Sequence, residues 1–151
     1  MCQVTGGGTG LGKGMATALS QLGATVAITG RRENVLRATA DEITAQTGNK
    51  VLISQCDVRD AANVKESLQS VVEQSSVPDI VINNAAGNFI SPTERLSPNA
   101  FSTIIDIVLK GSIHVTLEAG KMAIAAEKVF NFAHVFIFQL KLKIGDSHCL
   151  N

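Results

Sequence analysis

The chain has 151 residues, of which 45% are hydrophobic and 17% charged, and it contains no tyrosine and no tryptophan. Its 13 basic and 13 acidic side chains balance, so nothing pulls it at long range towards nucleic acid or anionic membranes. The apolar share excludes a disordered chain, the length suits one domain of ~100–200 residues, and the missing tyrosine excludes any mechanism in which this chain supplies a phenol as proton donor.

Cys2, Cys56 and Cys149 form no CxxC pair, which fits a reducing compartment better than a disulfide framework. No apolar run reaches the ~18 residues of a membrane span, so none is expected. No basic, Ser-rich presequence opens the chain, which starts three residues before Val4-Thr5-Gly6. A lost leader or a partial product is therefore expected.

Met1 to Thr5 reads as a short strand, followed by a glycine-rich turn and a helix from about Leu11 to Leu22. Ala24 to Thr29 is an apolar, β-branched run, predicted as a buried strand. Asn34 to Gln46 repeats Val35, Leu36, Ala40 and Ile43 at helical spacing, and Gly48 is its stop. Val51-Leu52-Ile53 is the third strand. Asp60 can cap a helix over Ala61 to Gln74, and Asp79 to Ile82 is the fourth strand. Asn83 to Ser97 reads as a loop. Ser97-Pro98 then provides a cap and a first-turn proline for a helix towards Ala126.

Beyond Lys121 the composition changes, and Phe130, Phe132, Phe136, Phe138, Leu140, Leu142 and Ile144 recur with period two. The stretch reads as a long strand, an aggregation hazard if it lies at a sheet edge. No internal repeat is visible.

Strands alternating with helices predict an α/β fold: a Rossmann-like parallel sheet with helices on both faces, strand order 3-2-1-4, plus the strand-like tail. Residues 1–120 form the dinucleotide-binding part, and residues 121–151 a divergent tail with no separate domain. Ligands in such sheets bind at the carboxyl ends of the strands, where the order reverses. That point lies between the first and fourth strands, and the two most unusual loops follow those strands.

Thr5-Gly6-Gly7-Gly8-Thr9-Gly10-Leu11-Gly12 follows a strand and opens a helix. Its glycines let a phosphate approach the backbone, and the helix start offers free amides, so Gly6, Gly8, Thr9, Gly10, Leu11 and Gly12 are candidate cofactor contacts. Gly7 to Lys13 also fits GxxxxGK, the nucleoside-triphosphate loop, but Gly14 stands where that motif needs Ser or Thr for magnesium. After the second strand come Arg31 and Arg32, two guanidiniums suited to the 2′-phosphate of NADPH rather than the free ribose of NADH. Asp57 can take the adenine amino group, and Asn84 sits in Asn83-Asn84-Ala85-Ala86-Gly87, whose small residues let a cofactor pass close. His114, His134 and His148 have no partners at metal-ligand spacing, so no metal site is expected. No GxSxG elbow occurs.

Taken together, TGGGTGLG at 5–12, Asp57-Val58 and NNAAG at 83–87 resemble the short-chain dehydrogenase/reductases. Gly48 to Val51, Cys56 to Asp60 and the run NNAAGNFISPTERLSPNA from Asn83 to Ala100 resemble more closely the mitochondrial 2,4-dienoyl-CoA reductases within that family. The resemblance covers about residues 4–120. It implies NADPH as hydride donor, a fatty acyl-CoA substrate with conjugated double bonds, reduction to trans-3-enoyl-CoA in unsaturated fatty acid β-oxidation, mitochondrial residence and a homo-oligomeric family. It also implies that Asn88 belongs to the catalytic hydrogen-bonding group at the thioester oxygen, where negative charge collects. Arg59, Phe89 and Ser97 correspond to acyl-CoA contacts; Arg59 suits a CoA phosphate, Phe89 an acyl chain, and Ser97 also a helix cap. Lys110 replaces an asparagine of the family. The family's catalytic tyrosine and nicotinamide-ribose lysine lie in a second half that cannot be mapped here. A truncated, poorly active reductase is therefore expected, with a non-catalytic dinucleotide-binding or interaction module, or an unstable fragment, as the alternative.

Overall fold

The computed structural model describes residues 1–87 and 95–134. It contains β1 (Cys2–Thr5), α1 (Gly10–Gln21), β2 (Val26–Gly30), α2 (Glu33–Thr47), β3 (Val51–Gln55), α3 (Ala61–Gln74), β4 (Ile80–Asn83), α4 (Pro98–Ile105), a π turn (Asp106–Lys110), α5 (Gly111–Ala125) and β5 (Asn131–His134). The sheet is five-stranded, in order β3-β2-β1-β4-β5. Every neighbouring pair is parallel. The predicted order 3-2-1-4 holds, and β5 extends it beside β4.

All of β1 is buried, as is β2 up to Thr29, because helices cover both faces of this part of the sheet. On one side Val4, Ile28, Leu36 and Ile43 form a core with Ala16 of α1. On the other, Val81, Val64 and Leu68 pack with Ile107, Val115 and Ala119. β5 lacks this cover, and all four of its residues are exposed. Phe132 stacks along the strand, its ring 6.2 Å from Phe130 and 5.4 Å from His134. The rest of the predicted tail strand, through Ile144, lies outside the described residues.

Helix ends follow local chemistry. Gly48 ends α2 at φ 74°, the left-handed conformation that glycine adopts freely. The Asp60 carboxylate accepts from the amides of Ala62 and Asn63, and Ser97 Oγ from that of Ala100. The helical run Pro98–Ala125 bears on the expected absence of a membrane span. Its 28 residues include a window of mean hydropathy 1.4, long and apolar enough by length and composition to cross a membrane. The sequence hides this because Asp106, Lys110, Ser112, His114 and Thr116 break up any unbroken apolar run. Here the helix lays Ile104, Ile107, Val115, Ala119 and Ala123 into the core. Its other side exposes Phe101, Leu109, Ile113, Leu117 and Ile124. The helix also runs on past Lys121, so the change of composition there is not a break in structure.

Asp60→Ala removes the α3 cap and is expected to lower stability by about 0.5–2 kcal/mol. Thermal unfolding checks this, with Asp60→Asn, which can still accept, falling less.

Candidate functional site

Two loops meet at the carboxyl ends of β1 and β4. The Thr5 hydroxyl accepts from the backbone N–H of Asn84 at 3.0 Å and of Ala85 at 2.9 Å. The Asn84 side-chain amide donates to the carbonyls of Thr5 at 2.9 Å and Gly6 at 3.3 Å. These bonds press the β4 loop onto the glycine-rich loop. A Cβ at Gly12 would stand 2.3 Å from the Gly6 carbonyl oxygen and 2.5 Å from Asn84 Nδ2. At Gly6, with φ +64°, it would meet Ala85 Cα at 3.0 Å. Gly7 is held against β2 by its N–H to Thr29 O at 3.2 Å, and Gly8 O accepts from Thr39 Oγ1 at 2.7 Å.

The open side of the same loop looks different. Nothing lies within 4 Å of a Cβ built at Gly10 or Gly14. Thr9 is the α1 N-cap, yet its side chain makes no capping bond, unlike Asp60 and Ser97. The first-turn amides of α1 therefore keep their hydrogen-bonding capacity for an anion. Lys13 does not serve this opening, since its ammonium pairs with Glu42 on α2 at 2.6 Å. That geometry argues against the triphosphate-loop reading, which needs the lysine on the phosphates.

A cleft runs from this loop across the ends of β2 and β3. It is lined by Gly6, Gly8, Thr9, Leu11 and Gly12, by Arg31 and Arg32, by Asp57, and by Asn84. The structure thus gathers nine of the ten residues expected to bind a cofactor, and Gly10 lies at the helix start beside them. Val35, Leu36, Val58 and Ile107 supply apolar walls. Arg31 and Arg32 are exposed and form no ion pair among the described residues. Gln55 Nε2 donates to Arg31 O at 2.8 Å, which ties the arginine backbone to the end of β3.

Asp57 and Arg59, expected to serve different ligands, pair with each other. Arg59 Nε lies 3.0 and 3.1 Å from the two Asp57 oxygens, and Nη2 lies 2.5 Å from Oδ2. The Arg59 hydrogen bond holds the Asp57 carboxyl below its usual range, with Arg31 adding a smaller pull. A depressed carboxyl adds stability above its unfolded pKa of ~3.9, and that share is lost as pH falls through the lower folded value. Cys56, beneath this loop, is buried, and burial pushes its thiol up to about 11. It is a packing residue and not a nucleophile at neutral pH.

The other expected residues are not gathered here. Ser97 is exposed and caps α4, outside the cleft. Asn88 and Phe89 lie outside the described residues. Lys110 points away, 62% exposed and paired with Asp106 at 2.7 Å. Sequence reasoning missed three supports of the site. Thr5 was visible in the glycine motif but looked like mere strand. Ile107 enters the cleft wall from the π turn, where a Cβ at Gly87 would meet its Cδ1 at 2.5 Å. His114 Nδ1 lies 3.0 Å from Val58 O and steadies the Asp57 loop.

The fold and cleft define a Rossmann-like α/β protein with a glycine-floored cleft at the carboxyl ends of its strands. The chain belongs to the short chain dehydrogenase family, which it matches over residues 1–128. It is 56% identical over 126 residues to an uncharacterised oxidoreductase of Caenorhabditis elegans, covering 83% of this chain and 40% of that protein. It is 50% identical over 125 residues to a probable 2,4-dienoyl-CoA reductase of the same organism, covering 82% and 40%. A peroxisomal 2,4-dienoyl-CoA reductase of Danio rerio is 34% identical over 113 residues, covering 75% and 38%. The chain thus spans about two fifths of the length of these curated relatives. Among solved structures, an actinorhodin polyketide ketoreductase with NADPH superposes with TM-score 0.81 at 25% identity, covering 88% of this chain and 51% of that one.

Two glycines of α1 separate cleft shape from helix propensity. Gly12→Ala is expected to lose stability and Gly14→Ala to gain about 0.5–1 kcal/mol, since only the first meets a neighbour. Paired thermal melts check both signs.

Proposed function

We propose that this chain binds NADPH in the cleft and serves the reduction of a 2,4-dienoyl-CoA to a trans-3-enoyl-CoA. The observation that carries the proposal is the pair of guanidiniums, Arg31 and Arg32, without an ion pair among the described residues, at the end of β2 in a glycine-floored cleft. The glycine loop amides would take the pyrophosphate, Arg31 and Arg32 the 2′-phosphate, and Asp57 the adenine amino group. NADPH supplies the hydride. The acyl-CoA substrate rests on the 50% identical relative named for that reaction and on the loop resemblance. In this reading Asn88 holds the thioester oxygen, while Phe89, Ser97 and Arg59 meet the acyl-CoA. Mitochondrial residence rests on the same resemblance, and the relative named as peroxisomal makes the peroxisome the competing compartment.

A second reading, a dinucleotide-binding module without turnover, is favoured by one observation: the 151 residues contain no tyrosine. The resemblance assigns the family's proton donor to a tyrosine.

The sequence has neither tryptophan nor tyrosine, so the fluorescence of the bound dihydronicotinamide reports binding without interference. NADPH is expected to bind at least about tenfold more tightly than NADH, the worth of one charge-assisted hydrogen bond. Arg31→Ala with Arg32→Ala should erase the preference. Equal or tighter binding of NADH sinks the cofactor assignment. Adding a dienoyl-CoA to the loaded chain separates the two readings: NADPH oxidation supports the reductase, and its absence the module.

A further inference from the structure

We propose that Arg59 is a specificity-determining residue for the dinucleotide: it neutralises Asp57, so that the cleft can hold a 2′-phosphate. This inference rests on the NADP(H) reading above. β2 and β3 pair up to Gly30 and Gln55. The ladder continues one step further, with Cys56 N–H donating to Gly30 O at 2.8 Å. Arg31 and Asp57 thus follow the ends of adjacent strands and line the same cleft. The charge of Arg31 is felt at Asp57.

A carboxylate in that place opposes the function of the arginines. It repels a phosphate dianion directly and offers Arg31 a competing partner. Among the described residues, the other acids near the cleft are already engaged. Glu33 pairs with Arg37 at 2.7 Å, Asp106 with Lys110 at 2.7 Å, and Asp60 accepts from two amides of α3. For Asp57 the partner is Arg59, whose fork covers both carboxylate oxygens. The Asp57 backbone fixes this geometry, since its N–H donates to Asn63 Oδ1 at 2.8 Å and its carbonyl accepts from Asp60 N–H at 3.1 Å. With its carboxylate engaged, Asp57 leaves Arg31 and Arg32 free for the ligand. Asp106 also lies within electrostatic reach of Arg59, but its own pairing is with Lys110.

The test is a set of NADPH and NADH fluorescence titrations on the full chain, on Arg59→Gln, on Asp57→Asn and on the double variant. Arg59→Gln is expected to weaken NADPH roughly three- to tenfold, the effect of one uncovered charge at this range in a wet cleft, with NADH changed less than twofold. Adding Asp57→Asn should restore the NADPH-to-NADH ratio. The loss should shrink in 1 M salt, where screening acts over ~3 Å. Arg59→Lys, which keeps the charge and loses the fork, should retain most of the preference and guards against a variant that fails to fold. Equal losses for both dinucleotides, no loss at all, or failure of Asp57→Asn to restore the ratio would each overturn the inference while leaving the NADP(H) reading intact. A full chain that prefers NADH removes both.

Discussion

The contact between Thr5 and Asn84 governs the rest of the site. These residues stand 79 positions apart, at the ends of neighbouring strands. The Thr5 hydroxyl accepts two N–H groups, and its proton is directed to Ile82 O at 3.4 Å. It thereby uses its whole hydrogen-bonding capacity. The Asn84 amide spends its protons on two carbonyls of the opposite loop. Because the contact is buried, each group left unmatched would cost about 1–3 kcal/mol, so the two loops close as a unit. Once closed, they leave no room for side chains at positions 6 and 12. The glycines on the cleft floor are therefore required as much by the fourth strand as by any ligand.

Much of this was legible in the sequence. The α3 bounds, Ala61 to Gln74, agree with the expectation because Asp60 marks the start and the apolar spacing persists to the end. The strand order followed from right-handed crossovers, and the cleft from the rule that ligands sit where that order reverses. Other features had no local signal. The π turn at Asp106–Lys110 carries ordinary helix formers, and its extra residue per turn is a response to packing of Ile107 and Gly111 under the two loops. Arg59 read as a free cation because the sequence does not say which way the Asp57–Asp60 turn folds. Once Asp60 N–H closes onto Asp57 O, the nearest anion to Arg59 is the carboxylate two residues before it.

The charges around the cleft follow a common pattern. Pairs form over short sequence distances: Arg37 with Glu33, Lys110 with Asp106, Arg59 with Asp57. Such exposed pairs are screened by solvent and add little to stability. Their larger consequence is subtractive. They remove acids and bases from the field at the cleft and leave Arg31 and Arg32 as its unpaired cations among the described residues. A neutral chain thus presents a locally positive site without any net attraction to polyanions.

Binding and turnover separate naturally in this architecture. The groups that line the cleft come from the carboxyl ends of β1 to β4, from the first turns of α1 and α2 and from one π turn, all within residues 6–107. Under the proposed function they would touch parts of a dinucleotide that do not change during hydride transfer: pyrophosphate, 2′-phosphate and adenine. Interactions of that kind are equal in ground and transition states, so they set affinity and not rate. Acceleration needs donors aimed at charge that develops on the substrate. Under the proposed function Asn88, which follows Gly87 in the sequence, would be one such donor. Cofactor preference would therefore be set by the cleft residues independently of turnover.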